Sequence, residues 1–187
     1  MQCPFCQTSQ QAAAFECPAC RLTYPRTSAL LGVLPRLSSM VADTTHSLKP
    51  PEQQQLKQKI LRIQRRFPQL VLQVVMHEFA PEHPFSMHVF WLFNAGNFAG
   101  DSRRGKDNHA LLLAVDPTRG ESALMPGYGL ESFLNQEALN DLLKLASQDW
   151  ENANWTYGIS RVLDGLDQLL ESISIPDEAP LKKSGEF

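Results

Sequence analysis

Ala110-Leu111-Leu112-Leu113-Ala114-Val115-Asp116-Pro117-Thr118-Arg119-Gly120-Glu121-Ser122-Ala123-Leu124-Met125 is the stretch on which the fold turns. Residues 110–115 form a short, wholly apolar run, which suits a strand covered on both faces. Asp116 to Gly120 supplies turn chemistry, with proline and glycine in the places a reversal uses them, and Glu121 to Met125 then reads as the returning strand of a hairpin. Upstream, Leu70 to Met76 is another short run dense in valine and leucine, and it reads as a second buried strand.

Helical patterns surround these strands. From Pro51 to Phe67 the apolar residues Leu56, Ile60, Ile63 and Phe67 recur at helical spacing, with Glu52 at the start, Arg65 and Arg66 at the end and Pro68 as the stop. Phe85 to Phe98 carries the stripe Phe85, Val89, Leu92 and Phe93. Phe90 and Trp91 make it apolar all round, which fits a buried helix. Residues 135–150 read as one helix with Ala138, Leu142, Leu145 and Ala146 on its apolar face. Residues 154–173 read as another, with Ile159, Val162, Leu163, Leu166, Leu169 and Leu170. Helix, strand, helix, hairpin, helix, helix implies a small sheet covered by helices on both faces, an α/β/α sandwich.

The N-terminus differs in kind. Cys3-Pro4-Phe5-Cys6 and Cys17-Pro18-Ala19-Cys20 hold all four cysteines of the chain. Two such hooks bring four thiolates within reach of one tetrahedral ion, and soft sulfur ligands select zinc over oxygen-seeking cations. The ten-residue spacer is short but sufficient for a two-hairpin ribbon. A redox pair normally opens a helix after a buried strand, whereas two residues precede Cys3, and the second hook would remain unexplained. Disulfides require an oxidising compartment, and Met1 to Cys6 lacks the basic and apolar segments of an export signal, so a cytoplasmic protein is expected. Four thiolates also close the coordination sphere, so the expected zinc is structural, contributing on the order of 10 to 16 kcal/mol to folding of so small a unit. The expected division is a ribbon over residues 1–26, a linker over 27–36, an α/β/α domain over 37–175 and a flexible tail over 176–187. In that reading Arg21 to Pro35, with two prolines and Gly32, is a connection.

Of the 187 residues, 43% are apolar and 20% charged, with a formal charge of −3, as in ordinary globular proteins. Arg21, Arg26 and Arg36 are the basic residues nearest the ribbon, but there is no chain-wide basic field, and no nucleic-acid partner is expected. The longest apolar run, Phe85 to Phe93, is interrupted by Ser86 and His88 and is too short for a membrane span. No Gly-x-Ser-x-Gly elbow, phosphate-binding glycine loop or dinucleotide fingerprint is present. His77-Glu78 and Glu82-His83 are separated by Pro81 and followed by Pro84, which prevents the helix that a zinc-protease pair needs.

Several ordered pieces resemble one family. Val41-Ala42-Asp43, then Leu48 and the Pro51-Glu52 helix, is similar to an opening in which an aspartate precedes a loop and a helix. Gly105-Lys106-Asp107-Asn108-His109-Ala110-Leu111-Leu112-Leu113 is similar to a Lys-Asp-Asn-Gly-x-Leu-Leu strand entry. Pro126-Gly127-Tyr128-Gly129-Leu130-Glu131 carries a Gly-Tyr-Gly-Leu-Glu signature, and Trp150, Tyr157 and Gly158 follow in the expected order. Together they resemble the TPM-domain family, which implies an α/β/α sandwich with Rossmann-like layers and a cleft where loop acids gather. Some members of that family are associated with phosphatase activity and divalent cations, others with assembly or repair of membrane complexes. Two positions depart from the pattern: His109 stands where glycine is expected, and Asn135 where aspartate is usual.

On that resemblance, Asp43, Asp107, Asn108, Asp116 and Glu131 are the candidate ligands of calcium or magnesium, and Asp43, Asp107 and Glu131 the candidate catalytic residues of a phosphomonoesterase. Arg103, Arg104 and Lys106 would offer a phosphate contact. The competing reading is local: Asp43, Asp107-Asn108 and Asp116-Pro117 cap turns, Glu131 starts a helix, and Gly127 and Gly129 supply positive φ. The reading favoured from sequence is a zinc-ribbon-bearing interaction or assembly module with a protein partner. A cation-dependent phosphatase is its rival.

Overall fold

The computed structural model describes residues 3–11, 14–34, 37, 40–96 and 109–173. Its elements run α1 (Tyr24–Leu31), β1 (Val41–Asp43), α2 (Pro50–Arg66), β2 (Val71–Met76), α3 (Phe85–Ala95), β3 (Ala110–Asp116), β4 (Glu121–Pro126), α4 (Gln136–Lys144), α5 (Ser147–Glu151) and α6 (Trp155–Ile173). The four strands form one sheet in the order β1-β2-β3-β4, parallel for the first three and antiparallel for the β3–β4 hairpin.

Strand alternation sorts the core onto two faces. Leu72, Val74, Met76, Leu111, Leu113 and Val115 point to one side, where α2, α4 and α6 bring Leu56, Ile60, Leu139, Leu142, Val162 and Leu166. Ala42, Val75, Leu112 and Ala114 point to the other, where α3 brings Phe85, Val89 and Leu92. The α/β/α sandwich is therefore the observed architecture. Because α2 and α3 cross between successive parallel strands on opposite faces, the two crossovers have opposite hand, and one of them departs from the usual right-handed connection.

Three segments differ from the sequence reading, the first being Val41–Asp43, which was not read as a strand and forms β1. The stretch taken as a connection contains α1: Thr23 caps it by accepting from the Arg26 amide, Pro25 sits in the first turn where its missing N–H costs nothing, and Gly32 ends it at φ 77°. The helix expected over 135–150 is broken into α4 and α5. Ala146 turns into the core with its amide on the Leu143 carbonyl, while Leu145, expected on the apolar face, is 53% exposed. Leu139 takes the buried place instead. The break carries Trp150 to α6, where a Cβ on Gly158 would lie 2.0 Å from the indole nitrogen, so this helix interior admits only glycine. Lys59–Asp164, Arg66–Asp167 and Arg66–Glu171 ion pairs tie α2 to α6 on the outside.

Candidate metal centre

Each Cys-Pro-x-Cys hook folds into the same turn. The Gln7 amide bonds to the Cys3 carbonyl at 3.0 Å and the Arg21 amide to the Cys17 carbonyl at 3.0 Å. Gln7 and Arg21 accept left-handed φ values of 61° and 60° to close them. The Cys3 amide then reaches Thr8 O and the Cys17 amide Leu22 O, each at 2.9 Å. Folded this way, the hooks aim all four sulfurs inward: Cys3–Cys20 and Cys6–Cys17 are each 3.6 Å apart, and all four Sγ atoms lie within 4.8 Å of one another. A tetrahedron with metal–sulfur bonds of about 2.3 Å has sulfur–sulfur edges of roughly 3.8 Å, so the cluster fits an ion such as zinc.

The electrostatics agree with that fit. The Thr8 hydroxyl, followed by its amide, holds the Cys6 thiol down at about 6. Burial, partly offset by a hydrogen bond from the Leu22 amide and reinforced by the crowded thiols, pushes Cys20 up to about 12, and burial likewise raises Cys3. Four neighbouring thiols cannot all ionise without a compensating cation, and backbone amides aimed at sulfur support the ionised form once a cation is there.

The cysteine turns are not an appendage. Cys3, Cys17, Leu22 and Met87 are buried together, and Met87 belongs to α3. Ser86 donates its hydroxyl to the Pro4 carbonyl at 2.6 Å and accepts from the Gln7 amide group at 3.3 Å. Helix α3 is apolar all round because the sheet covers one side while the cysteine turns, Leu22 and Leu31 pack about the other. Sequence periodicity gave the helix but not the second cover.

The carboxylates are placed differently. Asp43 ends β1 and accepts from the Thr45 amide at 2.9 Å, the Thr45 hydroxyl at 2.6 Å and the Leu48 amide at 2.7 Å. Asp116 ends β3, fully buried, and accepts from the amides of Phe79 at 2.9 Å, Thr118 at 3.0 Å and Arg119 at 3.1 Å. Both lie at the carboxyl ends of the parallel strands. Glu131 is exposed and follows Pro126, whose register partner is Leu111 near the start of β3, so it sits at the opposite end of the sheet. It lies within the 128–133 turn rather than starting a helix. Asp107 and Asn108, with Arg103, Arg104 and Lys106, lie outside the described residues. Among the described residues, the four cysteines are the one group of three or more ligating side chains close enough to share an ion.

A family model described as the TPM domain matches residues 41–169. The chain belongs to the TPM-domain family. Solved structures share its fold, two domains among them. One is the N-terminal domain of a protein from P. gingivalis, with 19% identity, a TM-score of 0.60 and coverage of 73% of this chain and 84% of that one. The other is the N-terminal domain of a protein from Corynebacterium glutamicum, with 15% identity, a TM-score of 0.54 and coverage of 84% and 97%. No curated protein matches the sequence. Among the described residues, no helix is long and apolar enough to cross a membrane.

The TPM signature positions now have physical roles. Asn135 replaces the usual aspartate yet caps α4 all the same, its side-chain oxygen accepting from the Ala138 amide at 2.8 Å. His109, in place of glycine, gives its carbonyl to Val71 at 3.0 Å and borders a 280 Å³ apolar hollow with Leu130 and Phe133. Gly127 and Gly129 do not take positive φ, contrary to the turn expected of them; Gly32 and Gly120 do. Sequence reasoning also missed a histidine cluster beside Asp116. His88 is buried with its Nε2 at 2.9 Å from the Ala80 carbonyl, His77 lies 2.7 Å from the Thr44 hydroxyl, and the Phe79 ring stands between the two imidazoles. Burial lowers the pKa of both.

Proposed function

We propose that this chain is a zinc-stabilised binding module in which a small ribbon, with zinc held by Cys3, Cys6, Cys17 and Cys20, is built onto a TPM domain and presents with it a surface for a protein partner in assembly or repair. The observation that carries this reading is the seating of the cysteine cluster on α3 through Cys3, Cys17 and Met87. An ion there would fix the position of a surface, and a sphere closed by four thiolates has no open place for a substrate. Zinc supplies cross-linking of the two turns when bound. The acids Asp43 and Asp116 each spend their oxygens on backbone amides of the adjoining loops, which supports a scaffolding role for them.

Native mass spectrometry of the purified chain, with and without added calcium and magnesium, tests the reading alongside a phosphomonoesterase assay. One zinc per chain, no second ion and no hydrolysis is the expected result. A retained calcium or magnesium, lost in Asp43→Ala and Asp107→Ala, together with phosphomonoester hydrolysis, overturns it in favour of a cation-dependent phosphatase.

A further inference from the structure

The sheet has an open edge. Strand β4 is last in the order, and its pairing with β3 continues into a bond from the Gly127 amide to the Ala110 carbonyl at 2.7 Å. In an antiparallel ladder bonded pairs alternate with unbonded ones, so counting back from Gly127 makes Met125, Ala123 and Glu121 the residues bonded to β3. Ser122 and Leu124 therefore direct both N–H and C=O away from the sheet, and Pro126, which has no N–H, directs its C=O the same way. Among the described residues these outward groups meet no partner.

That edge lies in a groove. A cavity of 560 Å³ runs beside residues 123–126, and a second of 380 Å³ continues past Ser122 to Gly120, with Asn140 common to both. Both walls are mixed. On the α3 side stand Val89, Phe90 and Ser86, with Pro4 and Gln7 of the cysteine turns; on the α4 side stand Leu134, Asn135, Gln136 and Asn140. Glu131 lies toward one end and Glu151 toward the other, neither in an ion pair among the described residues. Six residues of strand offer about 20 Å of edge.

We propose that this groove receives an extended segment of a protein partner, which adds to the sheet as a fifth strand beside β4. The unpaired main-chain groups call for extended backbone, the mixed lining for apolar and small hydroxyl side chains such as valine and threonine, and the two carboxylates for basic residues at the segment's ends. A groove walled by α3, the cysteine turns and α4 admits one strand and resists the flat approach of a second sheet. The inference rests on the binding-module reading and names its surface. The two fail separately, because hydrolysis with a second ion would defeat the module reading whereas the result below concerns only the edge.

The test uses the zinc-loaded full chain and the blocked heptapeptide acetyl-Lys-Val-Thr-Val-Thr-Val-Lys-amide, with amide hydrogen exchange read by NMR. The expected result is saturable slowing of exchange at Ser122 and Leu124, with binding at least tenfold weaker for a peptide N-methylated on alternate residues so as to remove the amides that would face β4. Ser122→Pro removes only an outward N–H, a substitution an edge strand tolerates, and should weaken binding as much with the fold unchanged. Binding that leaves both amides unprotected, or is indifferent to N-methylation, overturns the proposal. So does protection of these amides without peptide: if it rises with protein concentration, a second copy covers the edge, and if it is independent of concentration, the chain's own residues 174–187 do.

Discussion

The cysteine turns and the carboxyl ends of β1 and β3 are both rich in residues that can bind metal, yet they use their side chains in opposite ways. In the cysteine turns the amides of Cys3, Gln7, Cys17 and Arg21 bond to backbone carbonyls and the four sulfurs face one another within 4.8 Å. At the strand ends Asp43 and Asp116 are consumed by the amides of the loops they begin. A carboxylate is a strong acceptor and is readily saturated by its own chain, whereas a thiol is a weak one whose few contacts from backbone amides leave it able to face an ion. A cluster of potential ligands becomes a centre where local structure has not already claimed them.

The largest effect should follow from Cys17→Ser. Cys17 is buried against Met87, so losing its thiolate should remove the metal, open both turns and expose one side of α3. Metal content should fall from one ion per chain to none, with loss of binding energy on the order of 10 kcal/mol judged from zinc-finger peptides. Retention of a full ion by this variant would break the comparison from the thiol side.

Next in size is Asp116→Ala. It strands the buried Phe79 amide and the part-buried amides of Thr118 and Arg119, and should destabilise the domain by about 2 to 4 kcal/mol in urea unfolding. Metal content should not change. Asp43→Ala removes a less buried cap on the Thr45–Leu48 turn, and a smaller loss of about 1 to 2 kcal/mol is expected. Loss of a bound ion in either variant, without loss of stability, would show that these acids serve a ligand rather than the fold.

How far this was legible in the sequence depended on whether the evidence was local. Strands β2, β3 and β4 were plain from short apolar runs, α2 from periodicity, and the hairpin from Asp116-Pro117 and Gly120, because those signals reside in neighbouring residues; the three-residue β1 was not read as a strand. The four cysteines were equally plain. Punctuation misled at α1, since Pro25 and Gly32 delimit a helix as readily as they break one, and at 135–150, where only tertiary packing decides that Ala146 goes in and Leu145 out. Asp43 and Asp116 fall at strand ends as expected and Glu131 in the turn beyond β4, but which end of the sheet each occupies follows from strand direction. That is how Glu131 comes to lie across the sheet from Asp43 and Asp116. The open edge of β4 was invisible for the same reason, because it depends on sheet order.

The smallest effect sharpens the comparison by pH. His88 is buried beside Phe79, with burial lowering its pKa, the bond to the Ala80 carbonyl working the other way, and Arg119, His83 and His77 adding to the fall. A folded-state pKa below the unfolded value of about 6.5 means that the unfolded chain binds the extra proton first. The stability this histidine contributes is therefore present above that pH and is lost as pH falls toward the folded value. The urea midpoint should drop between pH 7.5 and 5.5, and His88→Gln, which can still donate to Ala80, should flatten the slope in part, leaving the share of His77, whose pKa burial also lowers. Acid also strips metal from thiolates, so the two regions could be confused in the native chain. In Cys17→Ser, which holds no metal, the histidine slope should persist; if it vanished with the metal, the cysteine turns and the strand ends would be one titrating unit rather than two.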